Sequence, residues 1–184
     1  MLISSKNRYI PESDWIRIKK HLPSHDLYLC EILKAAGFRV DDILESVNLN
    51  WAFADLGLIV IAEKKTEKIR EFLSDGWLLT LIRSFRKAYG IPPSYLRSNL
   101  IYFAPSWKKL DAHLNRSTLF RHFQRACKLA GLSDKGYTIH SLRKCYAVDL
   151  YRKTRSLLEV QRSLNHDRME TTMIYLMDAL EFMI

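Results

Sequence analysis

Residues 140–175 have the sequence HSLRKCYAVDLYRKTRSLLEVQRSLNHDRMETTMIY, and this stretch decides the fold. Its apolar spacing predicts a helix over residues 140–153, with His140 and Arg143 on one side because they are three residues apart. Ser156-Leu157-Leu158-Glu159 is a capping box, which predicts a short helix ending at Asn165. Asn tolerates the left-handed backbone that often ends a helix. A last helix is predicted from residue 172 to about 182, and it carries Tyr175.

The sequence before this stretch predicts more helices and one hairpin. Pro11 opens a first helix with Trp15, Ile18 and Leu22 on one stripe. Further helices are predicted over residues 26–36, 75–89 and 117–130, with Gly37 ending the first of these three. Two strands are predicted over residues 56–62 and 69–73, and residues 100–103 form a short strand or a buried turn. We therefore predict an α+β fold, mostly helical with a small antiparallel sheet, in a single domain over residues 1–184.

The positive charge is concentrated around the C-terminal stretch. The chain has 184 residues and a formal net charge of +9. Residues 106–168 hold 14 Lys or Arg against five Asp or Glu, so they alone carry +9. The net charges of the other two segments cancel, since the residues before this segment carry +3 and those after it carry −3. A basic segment of this kind indicates a polyanionic partner, although a solvated face explains it as well.

Several classes of protein are disfavoured by the same sequence. The longest apolar run, residues 56–62, is too short to span a bilayer, and the first residues lack the core of a signal peptide. Cys30, Cys127 and Cys145 are widely spaced and indicate reduced, packed thiols of a cytoplasmic protein. The six histidines have no metal-ligand spacing, so a zinc site is not expected.

Five short motifs occur in an order that resembles the catalytic domain of the tyrosine recombinases, also called phage-type integrases. The first is Gly37-Phe38-Arg39 with the acidic Asp42 three positions after the arginine. The next is the hairpin sequence of residues 65–70, KTEKIR. His140-Ser141-Leu142-Arg143, Leu164-Asn165-His166 and Tyr175, nine residues after His166, complete the series. Each motif alone is weak evidence, but their common order and spacing make a strong match from about residue 10 to residue 175.

The chain departs from the family pattern at four points. Asn165 stands where Gly is usual, Lys144 where His is frequent, and Asp42 where Glu is frequent. The fourth departure is an expectation: we predict no separate N-terminal domain that clamps DNA, because the predicted helices of the catalytic domain already occupy residues 11–36. In this respect the chain resembles the stand-alone inverters of fimbrial phase variation. A clamp supplied by another protein is the alternative.

The resemblance implies an enzyme that cleaves and rejoins duplex DNA through a 3′-phosphotyrosine, and it assigns a role to each motif residue. Tyr175 would be the nucleophile and His140 its proton acceptor, since a free phenol has a pKa of about 10. Arg39 and Arg143 would bracket the phosphate, His166 would donate a hydrogen bond to it, and Lys65 would protonate the departing oxygen. Neither a metal nor ATP is required. A solvated charge run over residues 64–68 is the alternative for Lys65.

The resemblance also implies duplex DNA as partner and a homodimer or homotetramer on paired sites, with a DNA-bending accessory protein and a place in the nucleoid. Phosphate contacts are expected from the basic residues near the motifs, with a solvated face as the alternative: Arg116, Arg121, Arg125, Lys128 and Lys144. Two other functions stay open. One is a DNA-binding regulator that has lost strand exchange. The other is a type IB topoisomerase, which shares the chemistry but acts as a monomer.

Overall fold

A computed structural model describes residues 7–45, 57–64, 67–73, 76–88, 90, 102–106, 112–177 and 179. The chain divides into two compact units that interleave along the sequence. The first unit comprises Met1–Leu22, Leu33–Phe38 and Phe120–Ile184, and the second comprises Pro23–Ile32 and Arg39–Leu119. The expectation of one domain over residues 1–184 stays a prediction. Among the described residues no helix is long and apolar enough to cross a membrane.

Helices build the first unit. Helix α1 covers Glu12–Lys19, α6 covers Ile139–Thr154, α7 covers Leu157–Ser163 and α8 covers Met169–Met177. Each of the last three packs against the other two. Their fully buried side chains, together with those of α1, form an apolar core: Trp15, Ile18, Leu142, Val148, Val160 and Leu164. This packing is what places the C-terminal motifs.

Side-chain caps fix where α6 and α7 begin. The Thr138 hydroxyl accepts a hydrogen bond from the His140 backbone N–H at 3.1 Å, and the Ser141 hydroxyl accepts one from the Thr138 N–H at 3.0 Å. These bonds satisfy donors that a helix start leaves without a partner in the helix. The predicted cap at Ser156 is confirmed, since its hydroxyl accepts from the Glu159 N–H at 3.2 Å. His140 therefore occupies the first turn of α6.

The second unit contains the sheet. Strand β1, Leu58–Ala62, pairs antiparallel with β2, Ile69–Leu73, in a register that sets Leu58 opposite Leu73 and Ala62 opposite Ile69. Helix α3, Val40–Leu44, precedes the strands and α4, Gly76–Ala88, follows them. The predicted fold class is confirmed: the described residues are mostly helical with one small antiparallel sheet.

Two helices, α2 at Ser24–Ala36 and α5 at Arg116–Leu129, contribute residues to both units. Helix α2 starts two residues before the prediction, and α5 is shifted by one residue. Helix α8 starts three residues early, at Met169, because Glu170 in its first turn favours the positive end of the helix dipole. Its predicted end lies outside the described residues. Tyr102–Ser106 contains no regular strand; Tyr102 and Pro105 are isolated bridge residues, and Pro105 pairs with His113.

All three cysteines are free and buried, so the prediction of packed thiols is confirmed. Burial raises the pKa of the Cys127 thiol to about 12 and that of the Cys145 thiol to about 12. The thiolate is the reactive form of cysteine. These two groups are therefore inert side chains of the core of the first unit.

Gly37 ends α2 with a left-handed backbone and leaves no room for a side chain. Its φ is +62°, and its N–H donates to the Leu33 carbonyl at 2.9 Å. A Cβ atom at this position would lie 2.2 Å from Cδ1 of Tyr146, which is shorter than any real contact. The close approach of the Tyr146 ring therefore requires glycine here, beyond the demand of the backbone.

We predict that Gly37→Ala lowers the free energy of unfolding by about 2–5 kcal/mol. Left-handed backbone costs an alanine about 1–2 kcal/mol, and overpacking against Tyr146 adds about 1–3 kcal/mol. Urea unfolding followed by circular dichroism measures the change.

Gly131→Ala is the matched control. Gly131 has φ +71°, and the nearest atom to its Cβ position, Nη2 of Arg17, is 3.4 Å away. This variant carries the backbone cost alone, about 1–2 kcal/mol. Equal losses in the two variants would show that Tyr146 moves aside without cost.

Candidate active site

Tyr175 is hydrogen-bonded to His140. Its hydroxyl contacts Nε2 of His140, and the two rings meet edge to face with their centres 5.5 Å apart. Tyr175 lies on α8 and His140 in the first turn of α6, so the packing of these two helices brings together residues 35 positions apart. Both side chains are half-buried. An imidazole nitrogen in this position can take the phenol proton.

His166 packs on the same tyrosine ring from the loop between α7 and α8. Its ring centre lies 5.0 Å from that of Tyr175, with the planes at 70°. Its Nδ1 is 3.0 Å from Oγ1 of Thr172, and its carbonyl accepts a hydrogen bond from the Gln161 amide at 3.0 Å. The predicted left-handed backbone of the preceding Asn165 is confirmed, at φ +52°. His166 is thus fixed by its backbone, by Thr172 and by Tyr175.

Arg143 is buried, with 1% of its surface exposed, and it binds two backbone carbonyls. Its Nη1 donates to the Gly37 carbonyl at 2.7 Å and its Nη2 to the Leu164 carbonyl at 2.6 Å. Carbonyls at helix ends have no partner within the helix. Arg143 therefore joins the end of α2 to the end of α7, one residue before Asn165. The sequence did not predict this structural task.

Arg39 lies in the second unit, while His140, Arg143, His166 and Tyr175 lie in the first. Its Nη1 is 2.5 Å from Oε2 of Glu63 and 3.7 Å from Oδ2 of Asp42. The contact with Glu63 is an ion pair and not a well-directed hydrogen bond. Both carboxylates are almost completely buried. Asp42 and Glu63 thus place two buried carboxylates beside the Arg39 guanidinium.

Glu63 is the site residue that sequence analysis missed. Its N–H donates to the Lys68 carbonyl at 2.9 Å, and its own carbonyl accepts from the Glu67 N–H at 2.7 Å, so its backbone closes the turn of the hairpin. The signal was the alternation of Ile59 and Ile61, both buried on one face of β1, which Glu63 continues directly after the strand. A carboxylate continuing a buried face requires a partner, and that partner is Arg39.

The flanks of the hairpin turn are also tied to α3. The Lys64 N–H donates to Oδ1 of Asp42 at 3.1 Å, and the Lys64 ammonium forms an ion pair with Glu45. The hydrogen bond to Glu45 raises the pKa of Lys64. Lys65, the predicted proton donor, lies outside the described residues, and its role stays a prediction.

The predicted DNA contacts separate into two groups. Four of them are exposed on α5: Arg116, Arg121, Arg125 and Lys128. Arg116 forms an ion pair with Asp41 at 2.6 Å. Lys144, in contrast, is buried on α6, and its Nζ lies 5.9 Å from the centre of the Tyr175 ring. The structure groups Lys144 with Tyr175 and not with the exposed set, and its contact with DNA stays a prediction.

Within the described parts of the chain, no three His, Cys, Asp or Glu side chains are arranged to hold a metal ion. The groups shown at the Tyr175 ring are the imidazoles of His140 and His166 and the ammonium of Lys144. These can move a proton and can stabilise an anion.

Comparison with known proteins gives consistent matches over most of the chain. A model of the phage integrase family matches residues 10–181. Tyrosine recombinase XerH of Helicobacter pylori (strain ATCC 700392 / 26695) is 22% identical over 177 residues, which cover 91% of this chain and 45% of XerH.

Solved structures share the fold. The crystal structure of XerA recombinase superposes with a TM-score of 0.75 at 21% identity, covering 95% of this chain and 60% of XerA. A lambda integrase dimer bound to a COC′ core site gives a TM-score of 0.70 at 21% identity, covering 91% of this chain and 47% of the integrase. The chain thus spans about half the length of these relatives. Because the family model covers nearly the whole sequence, this chain belongs to the phage integrase family of tyrosine recombinases.

Proposed function

We propose that this protein is a site-specific DNA recombinase that cleaves and rejoins duplex DNA with Tyr175 as nucleophile. The observation that carries the proposal is the hydrogen bond between the Tyr175 hydroxyl and Nε2 of His140. A nucleophile in contact with its base is the arrangement that covalent catalysis requires. The structures of XerH bound to its difH substrate before and after cleavage support the extension to this chain.

In the proposed cleavage step, the Tyr175 hydroxyl transfers its proton to Nε2 of His140 as its oxygen attacks the phosphorus. The bond between phosphorus and the 5′ oxygen breaks, and that oxygen takes a proton from a general acid, for which Lys65 is proposed from the family resemblance. The product is a 3′-phosphotyrosine and a free 5′ hydroxyl. Attack by a 5′ hydroxyl reverses each transfer and releases Tyr175.

Three residues are proposed to bind the phosphate that is attacked. Arg39 and Arg143 would stabilise the negative charge on its non-bridging oxygens, since a guanidinium can bind two oxygens at once. For His166, the tautomer in which Nδ1 accepts from the Thr172 hydroxyl carries its proton on Nε2. That tautomer is the one a hydrogen-bond donor to phosphate requires.

Duplex DNA is the proposed partner, with the exposed basic side chains of α5 as contacts to its backbone. The lambda integrase structures show a dimer on a core site and a tetramer on a Holliday junction. By analogy we propose a homodimer or homotetramer on paired sites, assisted by a DNA-bending protein in the nucleoid. The analogy depends on fold likeness.

The proposed function predicts that the wild-type protein forms a covalent complex with DNA and that Tyr175→Phe does not. The change removes the nucleophilic oxygen but no positive charge, so binding should change less than about threefold. Nicked duplexes with a randomised core serve as probe, because strand loss at the nick prevents rejoining and traps the intermediate. Complexes that survive boiling in detergent are recovered and sequenced, which also identifies the site.

Tyr146→Phe is the control. Tyr146 lies on the same helix as His140 and bonds to Ser163, so its loss tests folding without touching Tyr175. It should still form the covalent complex. A boiling-resistant band from Tyr175→Phe would assign the nucleophile elsewhere, and no band from the wild-type protein would contradict the proposed function.

We predict that Arg39→Lys slows cleavage of the captured substrate by about 100- to 1000-fold, as loss of one preorganised donor does in other enzymes. A lysine retains the charge but cannot bind two oxygens. Single-turnover cleavage measures the loss, and a filter-binding assay should show little change in affinity.

Arg116→Lys is the matched control, because Arg116 is also ion-paired to a carboxylate of the second unit. Its cleavage rate should stay within about threefold of wild type. If folded Arg39→Lys loses less than about tenfold in cleavage rate, Arg39 only contacts the DNA backbone and does not stabilise the attacked phosphate.

For the basic residues of α5, we predict that the double variant Arg121→Glu/Arg125→Glu weakens binding to duplexes of any sequence. Each lost phosphate contact removes about 0.9 from the slope of log K against log salt, so the slope should fall by about 1.8. Titrations at four salt concentrations measure it.

The double variant Arg83→Glu/Lys87→Glu makes the same charge change on α4, outside the basic segment, and should keep the wild-type slope. If Arg121→Glu/Arg125→Glu also keeps that slope, these residues are a solvated face.

A further inference from the structure

Lys144 is a buried lysine beside the proposed nucleophile. Only 7% of its surface is exposed, and its Nζ lies 5.9 Å from the centre of the Tyr175 ring. Lysine is almost never buried without a compensating partner, because removing an ammonium from water is costly. An exposed phosphate contact would not require this burial. The placement points to a task within the first unit.

The chemistry of Tyr175 suggests that task. A cation near the face of a tyrosine ring is attracted by the electrons of the ring. When the phenol loses its proton, the ring and its oxygen acquire a full negative charge, and the attraction grows. An interaction that strengthens as charge develops lowers the barrier and not only the energy of the resting state.

We propose that Lys144 is a positioning residue that holds the Tyr175 ring and stabilises its phenolate form during strand cleavage and rejoining. This inference rests on the proposed function of Tyr175. The inference assigns a role in that function to Lys144, which stands at a position where histidine is frequent in the family.

Lys144 takes no part in the proton transfers of the step. The Tyr175 proton goes to Nε2 of His140, the phenolic oxygen bonds to phosphorus, and the bond to the 5′ oxygen breaks. In the reverse direction the phenolate is the leaving group, and Lys144 stabilises the same charge. The two directions should therefore slow by one common factor when the ammonium is lost. Among the described residues, the Tyr175 ring is in contact with three titratable side chains whose geometry is known, His140 and Lys144 from α6 and His166 from the loop before α8.

The variants Lys144→Met and Lys144→Arg test the proposal, with Lys153→Met as control. Methionine keeps most of the side-chain length without the charge, and arginine restores the charge. Lys153 is an exposed lysine on the same helix. Single-turnover cleavage of the captured nicked duplex should slow about 10- to 100-fold in Lys144→Met, less than for a donor in direct contact with the oxyanion. Lys144→Arg should recover most of the rate, and Lys153→Met should equal wild type.

Two further readouts separate this role from a merely structural one. The cleavage rate should rise with pH at a higher pH in Lys144→Met than in the wild-type protein. The difference between their cleavage rates should therefore become smaller in alkaline buffer. Rejoining, started by adding the 5′-hydroxyl strand to the covalent complex, should slow by the same factor as cleavage. A packing defect would not move the pH profile in this way, and a defect in DNA binding alone would leave both rates of the bound complex unchanged.

A substrate with sulfur in place of the bridging 5′ oxygen separates two roles, stabilisation of the attacking phenolate and protonation of the leaving group. A thiolate leaves without a proton donor, so this substrate removes the need for a general acid but still needs the phenolate. The deficit of Lys144→Met should persist on it. If the deficit disappears, Lys144 is instead the proton donor and the proposal is overturned.

Equal rates for Lys144→Met and wild type would also overturn the proposal while leaving the function of Tyr175 intact. Absence of a covalent complex from the wild-type protein would overturn both. Should Lys144→Met fail to fold in urea titration, Lys144→Gln and Lys144→Arg give the same comparison. If Lys144→Arg then cleaves as slowly as Lys144→Gln, the positive charge is not what matters at this position, and the proposal is overturned.

Discussion

The buried guanidinium of Arg143 is the interaction on which the rest of the site depends. It donates to the carbonyls of Gly37 and Leu164, which are 127 positions apart in the chain. Removing the guanidinium would leave two carbonyls without these donors at the ends of α2 and α7, and buried polar groups without partners are costly. The end of α7 fixes the position of Asn165. The left-handed backbone of Asn165 starts the loop that carries His166. The His166 ring in turn packs on Tyr175. One side chain thus supports the loop and, through it, the Tyr175 ring.

The start of α6 supplies the second support. The hydroxyls of Thr138 and Ser141 fix the first turn of the helix, and His140 lies in that turn. Tyr175 is therefore held between a capped helix start and a loop fixed at a helix end. Both supports are made by helix termini, where backbone groups without helical partners attract side chains. Helix ends are suited to such a site because they fix side chains without interrupting the core.

Local signals predicted much of this arrangement. The cap at Ser156 and the left-handed backbone of Asn165 follow from residues close in sequence, and both predictions were confirmed. The predicted starts of α2 and α8 were two and three residues late. The burial of Lys144 and the carbonyl partners of Arg143 were not predicted, because both depend on contacts between segments far apart in the chain. Helical periodicity places Lys144 beside Arg143 but does not show that α8 covers it. The burial of Glu63 could have been predicted, since Glu63 continues the alternation of buried residues in β1. Its partner could not, because Arg39 is 24 positions away.

The two arginines proposed to bind phosphate are held by different chemistry, and the difference has a consequence. Carbonyl dipoles orient Arg143 without cancelling its charge, whereas the carboxylates of Asp42 and Glu63 orient Arg39 and also oppose its charge. A phosphate approaching Arg39 must compete with two buried anions, which costs more than filling a donor held by neutral groups. Under the proposed function, Arg39 would therefore be the more selective donor, because a phosphate would have to replace the carboxylates as its partner. Arg143 would add attraction without this competition.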